Sequence, residues 1–141
     1  LNLCGCDLSP IGIKRLCEFL KTNETITTME MGETQMLADS FKDIADMMKV
    51  NNTVDELKIQ SSQINDVDYC RLSEGLVQNT GLRSLNIQTA NDRSTDEKIK
   101  NLCPGLAVNK GLETLELWNI RSNSITETGV GYLETVLRTN L

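Results

Sequence analysis

Apolar residues recur along this chain at two alternating periods. Between residues 115 and 137 the sequence reads Leu115-x-Leu117, then Asn123-x-Ile125-x-x-x-Gly129-x-x-x-Leu133-x-x-x-Leu137. The first pair alternates as one face of a strand does, and the last pair recurs every four residues as one face of a helix does. A strand, a turn and a helix in so short a span form one supersecondary unit. Such a unit cannot bury its apolar face alone and is expected to repeat. The strand pair does repeat, as Leu1/Leu3, Met29/Met31, Leu57/Ile59, Leu85/Ile87 and Leu115/Leu117, in steps of 28, 28, 28 and 30 residues. The helix pair repeats as Leu16/Leu20, Ile44/Met48, Leu72/Leu76, Leu102/Leu106 and Leu133/Leu137. Three residues beyond each helix stands an asparagine, Asn23, Asn51, Asn79, Asn109 or Asn140. Ile26, Val54, Leu82 and Leu112 then open the strands that follow.

These phases predict an α/β leucine-rich-repeat solenoid of five strand–helix units, with a parallel sheet on the concave face and helices on the convex face. The repeats start near residues 1, 26, 54, 82 and 112 of one domain spanning residues 1–141. Terminal repeats of a solenoid need polar caps. Neither end of this chain reads as one, so it is expected to be a piece of a longer solenoid. Helix starts are predicted at Ser9, with Pro10 at the first helical position, and at Asn65, Thr95 and Thr126, all good N-caps. Leu37 holds that slot in the second unit, where Asp39 or Ser40 is expected to cap a shorter helix. The recurrent asparagine is expected to end each helix in the left-handed conformation. Asn23-Glu24-Thr25 and Asn51-Asn52-Thr53 also match the N-glycosylation pattern, but Asn79, Asn109 and Asn140 hold the same slot without it, so repeat punctuation is the simpler reading.

Chemistry enters mostly by exclusion. The net charge of −6 argues against nucleic acid or an anionic membrane surface as partner, since both call for a basic patch. No apolar run is long enough to span a bilayer. With no histidine in the chain, Ser-His-Asp and Cys-His pairs are ruled out, along with the commonest metal ligand. No phosphate-binding glycine loop is present. Cys4-x-Cys6 lacks a second pair at zinc spacing, and the five cysteines suggest no disulfide framework. Cys17 and Cys103 share a core slot, and Cys6 falls where a buried turn residue is expected. The chain is therefore expected to be non-enzymatic, free of cofactor, metal and small-molecule substrate, and to work in a reducing, cytoplasmic setting.

A partner would meet the residues that alternate with the buried strand pairs. The candidates are Glu30, Glu56, Lys58, Gln60, Asn86, Gln88, Glu116 and Trp118, together with Ile120 and Arg121 in an insertion that Trp118 begins. An ordinary solvated face is the alternative. Two roles are open to Trp118, the single tryptophan. It is either a binding hot spot near the concave rim or a cover folded over the open end of the last repeat.

The 28-residue unit of the form LxxLxLxx(N/C)xL with a helix behind it resembles the ribonuclease-inhibitor-like class of leucine-rich repeats. Within that class the chain is similar to the C-terminal domain of tropomodulins and leiomodins. The likeness rests on Leu20-Lys21-Thr22-Asn23-Glu24-Thr25-Ile26, on Met48-Lys49-Val50-Asn51-Asn52-Thr53-Val54 and on the longer fourth unit. The complete fifth unit departs from it, because the tropomodulin domain ends in a helix that breaks the repeat. The resemblance implies binding to actin at filament pointed ends, although it assigns no contact residue. The other reading is a structural segment of a larger receptor or of a ciliary or cytoskeletal scaffold, with no ligand on the concave face.

Overall fold

The computed structural model describes residues 1–32, 36, 38–89, 95–119 and 125–140. Five helices alternate with four strands: α1 (Pro10–Leu20), β1 (Thr28–Gly32), α2 (Ala38–Met48), β2 (Glu56–Gln60), α3 (Asp66–Gln78), β3 (Ser84–Thr89), α4 (Thr95–Val108), β4 (Thr114–Asn119) and α5 (Glu127–Thr139). The strands form one parallel sheet in the order β1-β2-β3-β4, and each helix packs on the next. This is the leucine-rich-repeat solenoid that the periods predict. The strand pairs Met29/Met31, Leu57/Ile59 and Leu85/Ile87 are fully buried against Ile44, Met48, Leu72, Leu76 and Leu102.

The expected fifth strand is reduced to one bridge, Asn2 to Glu30. Leu3 N donates to Glu30 O and Glu30 N donates to Leu1 O, so the ladder continues, but the chain then turns at Gly5 with φ 74°. Cys6 is also exposed rather than buried, as is Ser62 at the equivalent position of the third unit. At the other end Leu137 is 68 % exposed, where the repeat pattern expects core. Among the described helices α5 packs against α4 alone, which leaves that side of the last repeat uncovered.

Helix starts follow the sequence closely. Ser9 accepts from Gly12 N, Thr126 accepts from Thr128 N, and Asn65 forms a capping box with Asp68. Thr95 is the first residue of α4 rather than its cap. The expected shortening of α2 does not occur. The helix starts at Ala38 and matches α1 in length, with Asp39 in its first turn and Ser40 buried within it. Burial of Met36 and Phe41 explains this start better than any cap does.

The recurrent asparagine is not left-handed. Asn79 has φ −77° and ψ 131°, an extended conformation. Its side chain instead ties neighbouring units together. Asn79 Nδ2 donates to Met48 O at 2.7 Å and Asn51 O at 2.8 Å, while its Oδ1 accepts from Gly81 N and Leu82 N. Asn51 makes the equivalent bonds to Leu20 O and Asn23 O, and Asn109 to Leu76 O and Asn79 O. Asn140 Nδ2 continues the ladder to Leu106 O. The sequon at Asn51 thus has its amide committed to a buried bond.

Candidate protein-binding face

Register builds the face residue by residue. Parallel pairing without slippage sets Glu30, Lys58, Asn86 and Glu116 side by side, and Asn2 extends that row through its bridge to Glu30. A second row holds Gly32, Gln60, Gln88 and Trp118, and a third holds Thr28, Glu56, Ser84 and Thr114. Because the alternate residues of β1, β2 and β3 are buried against the helices, and Leu115 and Leu117 of β4 pack half-buried on the same side, all three rows point to the open, concave side. Eight of the ten sequence candidates thus share one surface. Ile120 and Arg121 lie outside the described residues.

Trp118 is a strand residue paired with Gln88, so the insertion starts beyond β4 rather than at Trp118. Trp118 is 56 % exposed, and it takes no part in lining the apolar cleft at the end of the last repeat. It stands on the concave side, as strand alternation requires.

Most charges on this face are already engaged. Lys58 Nζ lies 3.1 Å from Glu56 Oε1 and 3.2 Å from Glu30 Oε1. Hydrogen bonding to Glu56, then to Glu30, holds the Lys58 ammonium above the usual lysine range. Asn2 Nδ2 donates to Glu30 Oε2 at 2.7 Å, and Thr28 Oγ1 donates to Glu56 Oε2 at 3.5 Å. Glu116 differs from both. Asn86 Nδ2 and Trp118 Nε1 each donate to its Oε2, while its Oε1 takes no hydrogen bond among the described residues. The side-chain amides of Gln60 and Gln88 are likewise unbonded among the described residues. A hollow of about 280 Å³ lies beside them, bounded by Cys4, Glu30, Lys58 and Asn86. The absence of a side chain on Gly32 lets two of the hollow's walls, Cys4 and Gln60, approach closely. A Cβ there would meet Cys4 Sγ at 3.0 Å and Gln60 Oε1 at 3.1 Å.

Two features escaped the sequence reading. One is an apolar cleft of about 350 Å³ at the open end, walled by Leu112, Leu115, Leu117, Ile125, Leu133 and Leu137. The sequence did point to an open end, as the place Trp118 would cover, but not to this cleft, which among the described residues no further unit fills. The other is Asp96, which accepts from both the N–H and the hydroxyl of Thr126 and so fastens α5 to α4. No repeat position marks it. Among the described residues no group of three or more His, Cys, Asp or Glu is placed to hold a metal. No described helix is long and apolar enough to cross a membrane. Burial pushes the Cys17 thiol up to about 12, which makes it a packing group rather than a nucleophile.

The fold defines a class, the leucine-rich-repeat solenoids with a polar concave sheet. Known structures narrow the likeness further. The chain is similar over 99 % of its length, and over 79 % of the other chain, to a structure titled leiomodin-1 actin-binding site 2, with a TM-score of 0.79 and 20 % identity. It is similar over 91 % of its length, and 92 % of the other, to the tropomodulin C-terminal domain from Caenorhabditis elegans, with a TM-score of 0.56 and 9 % identity. No protein-family model matches the sequence, and no curated protein matches it.

Proposed function

We propose that this chain is a non-enzymatic protein-binding module of the cytoplasm that acts on actin, in the manner of a tropomodulin-like domain at filament pointed ends. The observation carrying this reading is the overlay of nearly the whole chain on a domain described as an actin-binding site. The concave face adds support, because a regular sheet presenting unbonded amides, an exposed indole and an open carboxylate is suited to meeting a protein surface. The experiment is pointed-end elongation of filaments whose barbed ends are capped, together with binding of the chain to immobilised monomeric actin. Slowed elongation and saturable binding are expected at micromolar concentrations. Absence of both up to about 100 μM, well beyond the range of ordinary specific contacts, would exclude actin as the partner.

A second reading has its own observation. Asn2, Glu30, Lys58, Glu56 and Thr28 satisfy one another across the first two strands. A self-satisfied surface of that kind suits a structural repeat segment with no concave ligand. Unchanged hydrogen exchange of β1 to β4 in the presence of actin and of cytoskeletal extract would favour it.

A further inference from the structure

Resting on the reading of the concave face as a protein-binding surface, we propose that Glu116 and Trp118 form a receptor for one arginine side chain of an extended partner segment, whose main chain crosses the amides of Gln88 and Gln60. Three observations meet here. Glu30 and Glu56 have both carboxylate oxygens engaged, whereas Glu116 receives two donors on Oε2 and keeps Oε1 open. Those two donors, Asn86 Nδ2 and Trp118 Nε1, orient the carboxylate and hold the indole beside it. The exposed ring then offers a face on which a planar guanidinium stacks while it donates to the free oxygen. An ammonium would satisfy the carboxylate but would lose the stacked, planar fit.

The second row supplies the rest of the segment's recognition. A primary amide carries a donor and an acceptor and so matches one peptide N–H and C=O pair. Gln88 and Gln60 stand in register beside Trp118, one strand apart each, with no competing side-chain bonds among the described residues. The hollow bounded by Cys4, Glu30, Lys58 and Asn86 beside those amides then gives room for the chain to continue. Charge favours the same occupant. The strands present Glu30, Glu56 and Glu116 against the single ammonium of Lys58, within a chain of net charge −6.

The test uses the tryptophan itself. Trp118 is the only tryptophan in the chain, so its fluorescence reports this site alone. The probe is a short capped peptide of glycine, serine and threonine with one central arginine, compared with the same peptide carrying citrulline, the neutral isostere. Saturable change in Trp118 emission is expected with the arginine peptide, with citrulline weaker by about tenfold or more. Glu116→Gln should lose binding to the same degree, while Glu74→Gln on the helical side leaves it unchanged. Equal binding of the two peptides, no saturable response up to about 2 mM, or an unaffected Glu116→Gln chain would each overturn the proposal. If Glu116→Gln alters the far-ultraviolet spectrum, the arginine–citrulline comparison on the native chain decides alone. Actin separates this proposal from the one beneath it. Actin binding without an arginine response ends the arginine site and leaves the function standing, whereas an arginine response without actin binding does the reverse.

Discussion

At the scale of the residue, the asparagine ladder shows how one side chain can join three segments of chain. Asn79 spends its amide on two carbonyls of the preceding unit and its oxygen on two N–H groups of its own turn. All of this lies in a site 3 % exposed, where water cannot replace a lost partner. Asn79→Ala is therefore expected to destabilise the chain by about 3 kcal/mol in urea unfolding, because several buried groups lose their partners together. Asn140 makes one side-chain bond, to Leu106 O, at the open end, and Asn140→Ala should cost about 1 kcal/mol or less. Equal losses at the two positions would show that the ladder does not act as described. The recurrence of this asparagine was plain in the sequence, but its role was not. A cap is a local rule, readable in a few residues. A ladder relates residues about one repeat apart and appears only when the units are stacked.

At the scale of the element, close approach and capping decide how each helix sits. Helix α4 contains Pro104, and Gly105 N donates across to Ser73 Oγ at 2.8 Å, while Ser73 Oγ donates to Leu102 O. The two helices are so close that a Cβ on Gly105 would lie 2.4 Å from Ser73 O. Gly105→Ala should thus lose about 1–3 kcal/mol by forcing α4 away from α3. Gly131 is the contrasting case: a Cβ there meets nothing within 4 Å, so Gly131→Ala should gain up to about 1 kcal/mol from helix propensity. Thermal unfolding of the two variants checks both signs, and a stabilised Gly105→Ala would refute the close contact. Helix α5 depends on Asp96. Its carboxylate lies below the usual range because it accepts from the Thr126 hydroxyl, then from the Thr126 and Gly129 N–H groups. A depressed folded value means that Asp96 stabilises the chain above its unfolded pKa of about 3.9, and that this contribution fades as pH falls through the lower folded value. Acid unfolding of Asp96→Asn should accordingly be less steep than that of the native chain between about pH 4 and pH 2. Identical slopes would mean that Asp96 does not hold α5. Because caps and proline are local signals, the sequence disclosed where α1, α3 and α5 start, and it put the start of α4 one residue late. It misplaced the start of α2, where burial of Met36 and Phe41 overrides the nearby polar cappers, and it gave no sign of Asp96, whose partner lies in the next unit. The candidate face was legible to the same degree. Strand alternation placed Trp118 and Glu116 on the concave side, yet only the register reveals that Glu30 and Glu56 are saturated and Glu116 is not.

At the scale of the whole molecule, a solenoid is stabilised by its units and by the interfaces between neighbours. Helix α3 packs against both α2 and α4, whereas among the described helices α5 packs against α4 alone. The burial of matching positions follows that asymmetry: Leu72 and Leu102 are fully buried, Leu133 is half-buried and Leu137 is 68 % exposed. One sequence pattern therefore has different energetic weight in different units, which no single repeat reveals. Truncating Leu72 to alanine should cost about 2–5 kcal/mol, as buried leucines do, while Leu137→Ala should stay within about 0.5 kcal/mol. The same asymmetry predicts where the chain opens first. In native-state hydrogen exchange on these 141 residues, amides of β4 and α5 should exchange through local opening. Those of β2, β3 and α3 should wait for global unfolding. Urea well below the midpoint should speed exchange in the central elements more than in α5, because local opening exposes less surface than global unfolding does. Protection in α5 equal to that in α3, with the same urea dependence, would show that the apolar end is closed in solution. The chain would then behave as one cooperative block rather than as a stack loosest at that end.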